Sequence, residues 1–84
     1  MTTTDDLSLI LRALESAAVE IRNDTVDGDG GLAKIAGKYL FFVNPRTPLD
    51  RTLENAVDAL RRFDWPSMHV PPRVRELMGD NQGW

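Results

Sequence analysis

The sequence predicts an α+β domain: a three-stranded antiparallel meander with two amphipathic helices on one face and a short C-terminal helix. Two observations predict it. Apolar residues recur at helical spacing twice, at Leu7, Ile10, Leu11, Leu14 and Ala18 and again at Leu49, Leu53, Ala56, Val57 and Leu60. Between these stretches lie three short runs of strand character, punctuated by glycine and by Asn44-Pro45.

The first helix is expected over residues 5–18. Thr3 or Thr4 can accept its free amide hydrogens, and Asp5 and Asp6 suit the positive end of its dipole. The period then changes. Val19, Glu20, Ile21, Arg22 and Asn23 alternate apolar and polar, as a half-buried strand does. Residues 24–31 read as an acidic, glycine-containing loop.

Residues 32–36 and 39–43 are the next strands, joined at Gly37-Lys38. Gly37 at the first turn position suits a type II′ hairpin. Asn44-Pro45 ends the third strand, because proline donates nothing to a ladder. Thr47-Pro48-Leu49-Asp50 then opens the second helix, with Thr47 as cap, Pro48 at the first helical position and Asp50 reaching back. Asp58 and Arg62 are spaced to pair along it, and Arg61-Arg62 suit its negative end. Trp65 precedes Pro66 and should be extended. Pro71-Pro72 open a last helix over residues 72–78, ended by Gly79. Residues 1–4 and 80–84 are expected to fray. One tension remains: residues 39–43 are apolar on both faces, whereas a meander packed on one side wants alternation. Either the segment 65–78 covers the second face or a partner does.

Composition narrows the function. With 84 residues the chain forms one small domain, and a chain of this size buries only about 60% of its unfolded surface. Its 42% hydrophobic and 27% charged residues are ordinary globular usage. A net charge of -3 argues against a general nucleic-acid binder, which needs a basic face for phosphates. There is no cysteine, so disulfides, thiolate nucleophiles and zinc–thiolate sites are excluded, and a cytoplasmic setting is expected. The polar, acidic start has no secretory pattern, and the longest apolar run, residues 39–43, is far too short to cross a bilayer.

Each candidate for chemistry has a plainer reading beside it. Asp24, Asp27 and Asp29 offer oxygen ligands for a hard cation. Counted from Asp27, however, a calcium loop would need Gly at position 32 and Glu at position 38, where Leu32 and Lys38 stand. A solvated acidic turn is expected instead. His69 is the sole histidine and Ser67 lies near it, but no nucleophile-elbow pattern surrounds them. Gly28, Gly30 and Gly31 precede a strand, so no helix N-terminus faces a phosphate there. Arg61, Arg62, Arg73 and Arg75 are either a basic patch or solvated helix faces; the net charge favours the latter. Phe63, Trp65, Met68 and Val70 either cap the open end of a thin core or form an interaction patch.

The order of elements over residues 18–60, with a hairpin ending in Asn44-Pro45 and then Arg51-Thr52-Leu53, resembles the amino-terminal part of the ImmA/IrrE-type zinc metallopeptidases. That family carries His-Glu-x-x-His on the helix after the hairpin. The matching positions here hold Asn55, Ala56 and Ala59. The resemblance therefore implies a zincin-like scaffold without zinc or the water-activating glutamate, hence no hydrolysis.

The sequence thus points to a non-catalytic protein-interaction or accessory module, with no catalytic, cofactor-binding or metal-ligating set. The expected partner is another protein or, weakly, a second copy, met through Tyr39, Phe41, Phe42, Phe63, Trp65 and Met68. The alternatives are a degenerate zincin-like protein that retains ligand binding and a weak nucleic-acid binder.

Overall fold

A computed structural model describes residues 2–24 and 30–79. It contains α1 (Thr3–Ser16), β1 (Val19–Asn23), β2 (Gly30–Ile35), β3 (Lys38–Val43), α2 (Leu49–Leu60), a single 3-10 turn at Trp65–Ser67 and α3 (Pro72–Met78). The α+β class is as expected. Met1, Asp27, Gly28, Asp29 and residues 80–84, on which parts of the sequence reading rest, lie outside the described residues.

The sheet is not an antiparallel meander. Its strand order is β1-β3-β2, with β3 in the centre. β1 runs parallel to β3, with Ile21 abreast of Phe41, and β2 runs antiparallel to β3, with Leu32 abreast of Phe41. The reason lies in the side chains. β3 is apolar on both faces and belongs in the middle, whereas β1 carries Glu20, Arg22 and Asn23 and tolerates an edge. Asn23, where β1 ends, and Gly30, where β2 begins, both lie abreast of Val43 at one end of the sheet. The ends to be joined are two strand spacings apart, about 9.6 Å.

The hairpin turn falls one residue earlier than expected. Ile35 pairs with Lys38, leaving Ala36 and Gly37 as the turn. Both have positive φ, 53° and 80°, the mark of type I′ rather than type II′. At the other end of β2, Gly30 has φ 85°, and a Cβ there would lie 2.4 Å from the carbonyl oxygen of Phe42. Only glycine fits beside β3 at that point.

Helix α1 begins earlier than expected. Thr2 is its cap, its Oγ1 accepting from the Asp5 amide at 3.2 Å. Thr3 and Thr4 therefore lie within the helix. The helix ends at Ser16, and Ala18, with φ 67°, turns the chain into β1. Helix α2 starts at Leu49, where the Thr52 amide donates to the Pro48 carbonyl at 3.0 Å. It ends at Leu60, so Arg62 leaves the helical path and the expected Asp58–Arg62 ion pair does not form. Trp65 is not extended. It opens the 3-10 turn, whose last amide, that of Met68, donates to the Trp65 carbonyl at 3.0 Å. Helix α3 has the expected bounds, with Gly79 left-handed at φ 81°.

Helices α1 and α2 pack on each other, α1 also on β1, and α2 on β2 and β3. Ile10, Leu14, Phe41, Ala56, Leu60 and Val74 form the fully buried centre. Helix α3 packs on α1. Its Arg73 grips the buried carboxylate of Asp6 with two hydrogen bonds, 3.0 and 2.9 Å. The core-facing row of α2 is Thr52, Ala56, Ala59 and Leu60. Its small members permit close approach of the helices. This row is rotated from the apolar stripe seen in sequence. Leu53 and Val57 stand at its margin and Leu49 is exposed.

Candidate functional site

Register assigns every strand residue to a face. Tyr39, Phe41 and Val43 point one way, with Val19 and Ile21 from β1 and Leu32 from β2 beside them. All six belong to the hydrophobic core or pack against it. The opposite face carries Leu40 and Phe42 from β3, Ala33 and Ile35 from β2, and Glu20 and Arg22 from β1. None of its apolar side chains is in the core cluster, and among the described residues no helix packs on that side.

This outer face is the candidate site. Leu40, Phe42 and Ala33 are half-buried by their neighbours, and Ile35 is 54% exposed. Glu20 and Arg22 border it on β1 and form an ion pair with each other. They therefore satisfy one another and leave the apolar centre free of uncompensated charge. Lys38 lies at the turn end of the face. The arrangement can bury apolar surface against another apolar surface.

The six residues singled out in sequence are divided by the fold. Phe42 lies on the outer face. Phe41, its neighbour, is fully buried in the core. Tyr39, Phe63, Trp65 and Met68 all pack against the core from the helical side. Tyr39 and Phe63 meet edge to face, ring centres 5.1 Å apart. Arg75 lies over the Trp65 ring at 5.8 Å and donates to the Pro66 carbonyl at 3.1 Å. The segment around Trp65 thus closes the core and does not reach the outer face. Leu40, Ala33 and Ile35 complete the face and were not singled out. The alternation of Glu20 and Arg22 with Val19 and Ile21 was the signal. Once β1 lies beside β3, it marks Leu40 and Phe42 as outward.

The other candidates are dispersed. Arg73 is committed to Asp6 and Arg75 to the Trp65–Pro66 turn, so the four arginines make no common patch. His69 is exposed and borders a cavity of about 150 Å3 with Leu9, Arg12 and Ser16. Asp24 is exposed, and its amide donates to the Val43 carbonyl at 3.1 Å. Among the described residues no three His, Asp or Glu side chains gather where a metal could sit. Of the positions aligned with the metallopeptidase motif, Ala56 and Ala59 are buried on the core-facing side of α2, and Asn55 borders a cavity of about 160 Å3 with Leu32 and Arg62. No described helix is long and apolar enough to cross a membrane. Compared with known proteins, the chain matches no family model, no curated protein and no solved structure.

Proposed function

We propose that this protein is a small, non-catalytic interaction module that docks the apolar face of another protein on the outer face of its sheet. The observation that carries this reading is the row of Leu40, Phe42, Ala33 and Ile35, apolar and uncovered by any described helix. A strand apolar on both faces, as β3 is, calls for cover on both. Exposed apolar surface of this kind, rimmed by polar groups, is where proteins meet partners. The Glu20–Arg22 pair supplies the rim. A cysteine-free chain suits a reducing compartment, and we place its action in the cytoplasm.

The test is capture from an extract of the source cells on immobilised protein. Wild type and a Leu53→Glu control should retain the same partner, and the Ile35→Glu variant should lose it. Ile35 is exposed, so its substitution disturbs folding little. Phe42→Ser is the second variant, checked for native circular dichroism. Capture that ignores both Ile35 and Phe42, or no capture by wild type, would contradict the reading.

A further inference from the structure

The cavity of about 150 Å3 beside His69 lies between the C-terminal half of α1 and the stretch that leads into α3. Leu9, Val70 and Pro71 give it apolar walls, and Arg12 and His69 border it. Among the described residues no carboxylate lines it, whereas Asp58 lines both of two further cavities along α2. Sign sets this cavity apart: in a chain of net charge -3 it gathers two basic side chains. The Arg12 guanidinium forms no ion pair or hydrogen bond among the described residues, although Glu15 stands three positions on, a spacing at which helical charges can meet. The negative end of α1 is muted here, because its last carbonyls are occupied. The Ser16 hydroxyl donates to the Arg12 carbonyl at 3.1 Å. The Ala17 amide donates to Ala13 and Leu14 at 3.1 and 2.9 Å, and the Ala18 amide to Glu15 at 3.0 Å.

We propose that this cavity binds the oxyanion head of a small ligand, a carboxylate or a phosphate monoester carried on an apolar body. Arg12 offers a planar fork of donors that matches either group, and His69 donates an N–H whether neutral or charged. Ser16 has its proton committed to the helix, so these two are the donors. Leu9 and Val70 are half-buried and packed on the core, and they form a firm wall for the apolar body. The volume equals that of about five waters, enough for the head and a few carbons but well short of a nucleotide. The two halves of the site are held in fixed relation. Two residues beyond Pro71, Arg73 grips Asp6 on α1 through two hydrogen bonds, 3.0 and 2.9 Å. Arg12 and His69 are exposed, so water competes and a dissociation constant on the order of 1 mM is expected.

Amide chemical shifts of the full chain, followed by NMR at constant ionic strength, test this. The probes are inorganic phosphate, phenyl phosphate, acetate and benzoate, with chloride as the baseline. Saturable shifts should centre on Ser16, His69 and Val70, and the aromatic probes should bind more tightly than inorganic phosphate and acetate. Tighter binding of phenyl phosphate than of benzoate identifies the head as a phosphate monoester, and the reverse order identifies a carboxylate. Arg12→Gln should weaken binding about tenfold and His69→Gln about threefold. Arg61→Gln, the loss of an equally exposed arginine bordered by acids, should leave it unchanged. Circular dichroism checks that each variant is folded, and exposure of the three side chains makes that the expected result. Shifts no larger than those given by chloride, binding indifferent to Arg12, or an equal loss in Arg61→Gln would each overturn the proposal. The Leu40 and Phe42 amides should not move, which keeps this site distinct from the sheet face.

Discussion

Arg73 holds Asp6 through two parallel hydrogen bonds, Nε to Oδ1 at 3.0 Å and a terminal nitrogen to Oδ2 at 2.9 Å, across 67 positions of sequence. The pair joins the first turn of α1 to the first turn of α3. Helix α3 has seven residues, too few to persist alone. Its place depends on burial of Val74 and Met78 and on this fork.

The ion pair makes stability sensitive to acid. The hydrogen bonds from Arg73, and then its charge, hold the Asp6 carboxyl below the ordinary carboxylate range, against the opposing effect of burial. The unfolded chain therefore binds this proton more readily than the folded one. The stabilisation is complete above the ordinary aspartate pKa, about 3.9, and is lost as pH falls through the depressed folded value. Urea unfolding of wild type between pH 7 and pH 2 should show this acid loss. The Asp6→Asn variant should be less stable at pH 7 and show a shallower decline. An unchanged decline would contradict the assignment.

Phe41 and Phe42 should respond very differently to truncation. Phe41→Ala removes a fully buried ring and should cost about 3–5 kcal/mol. Phe42→Ala acts on the open face and should cost less than half as much. Denaturant midpoints of the two variants read the sheet register directly. Equal losses would mean that the outer face is covered.

Much of this architecture is written locally in the chain. Pro72 and Gly79 bound α3, and Asn44-Pro45 stops β3, because each fixes its own backbone geometry. Neighbour relations are not local. Alternation in β1 shows that it has a wet face but not which strand lies beside it, and so antiparallel order was expected where β3 inserts between β1 and β2. The two-sided apolar run of β3 already carried that information, since such a strand is central. The turn shifted because Ala36 adopts a backbone conformation that its side chain disfavours. The apolar stripe of α2 was visible, but its rotation was not: Thr52 and Ala59 face the core because close packing on α1 and β2 favours small side chains over Leu49. For the site, Phe42 is legible as an aromatic of the two-sided strand, whereas Ile35 joins the face only through the pairing of β2 with β3, which sets it beside Lys38 on the side of Leu40 and Phe42.

The strained turn offers a gain in stability. Ala36 is exposed and left-handed, ahead of Gly37 in a type I′ turn. Ala36→Asn creates the favoured Asn-Gly pair and should stabilise the fold by about 1 kcal/mol. Thermal unfolding should show a higher Tm with an unchanged spectrum. A loss of stability would mean that the turn is of another type.

Hydroxyl-radical footprinting at low micromolar concentration tests the central claim, that the outer sheet face stands open to a partner, most directly. The account predicts ready oxidation of Phe42, Leu40 and Ile35 and protection of Phe41 in the isolated protein. Once the captured partner is added, the first three should become protected. Phe42 as protected as Phe41 before any partner is present, or an outer face unchanged on partner binding, would contradict it.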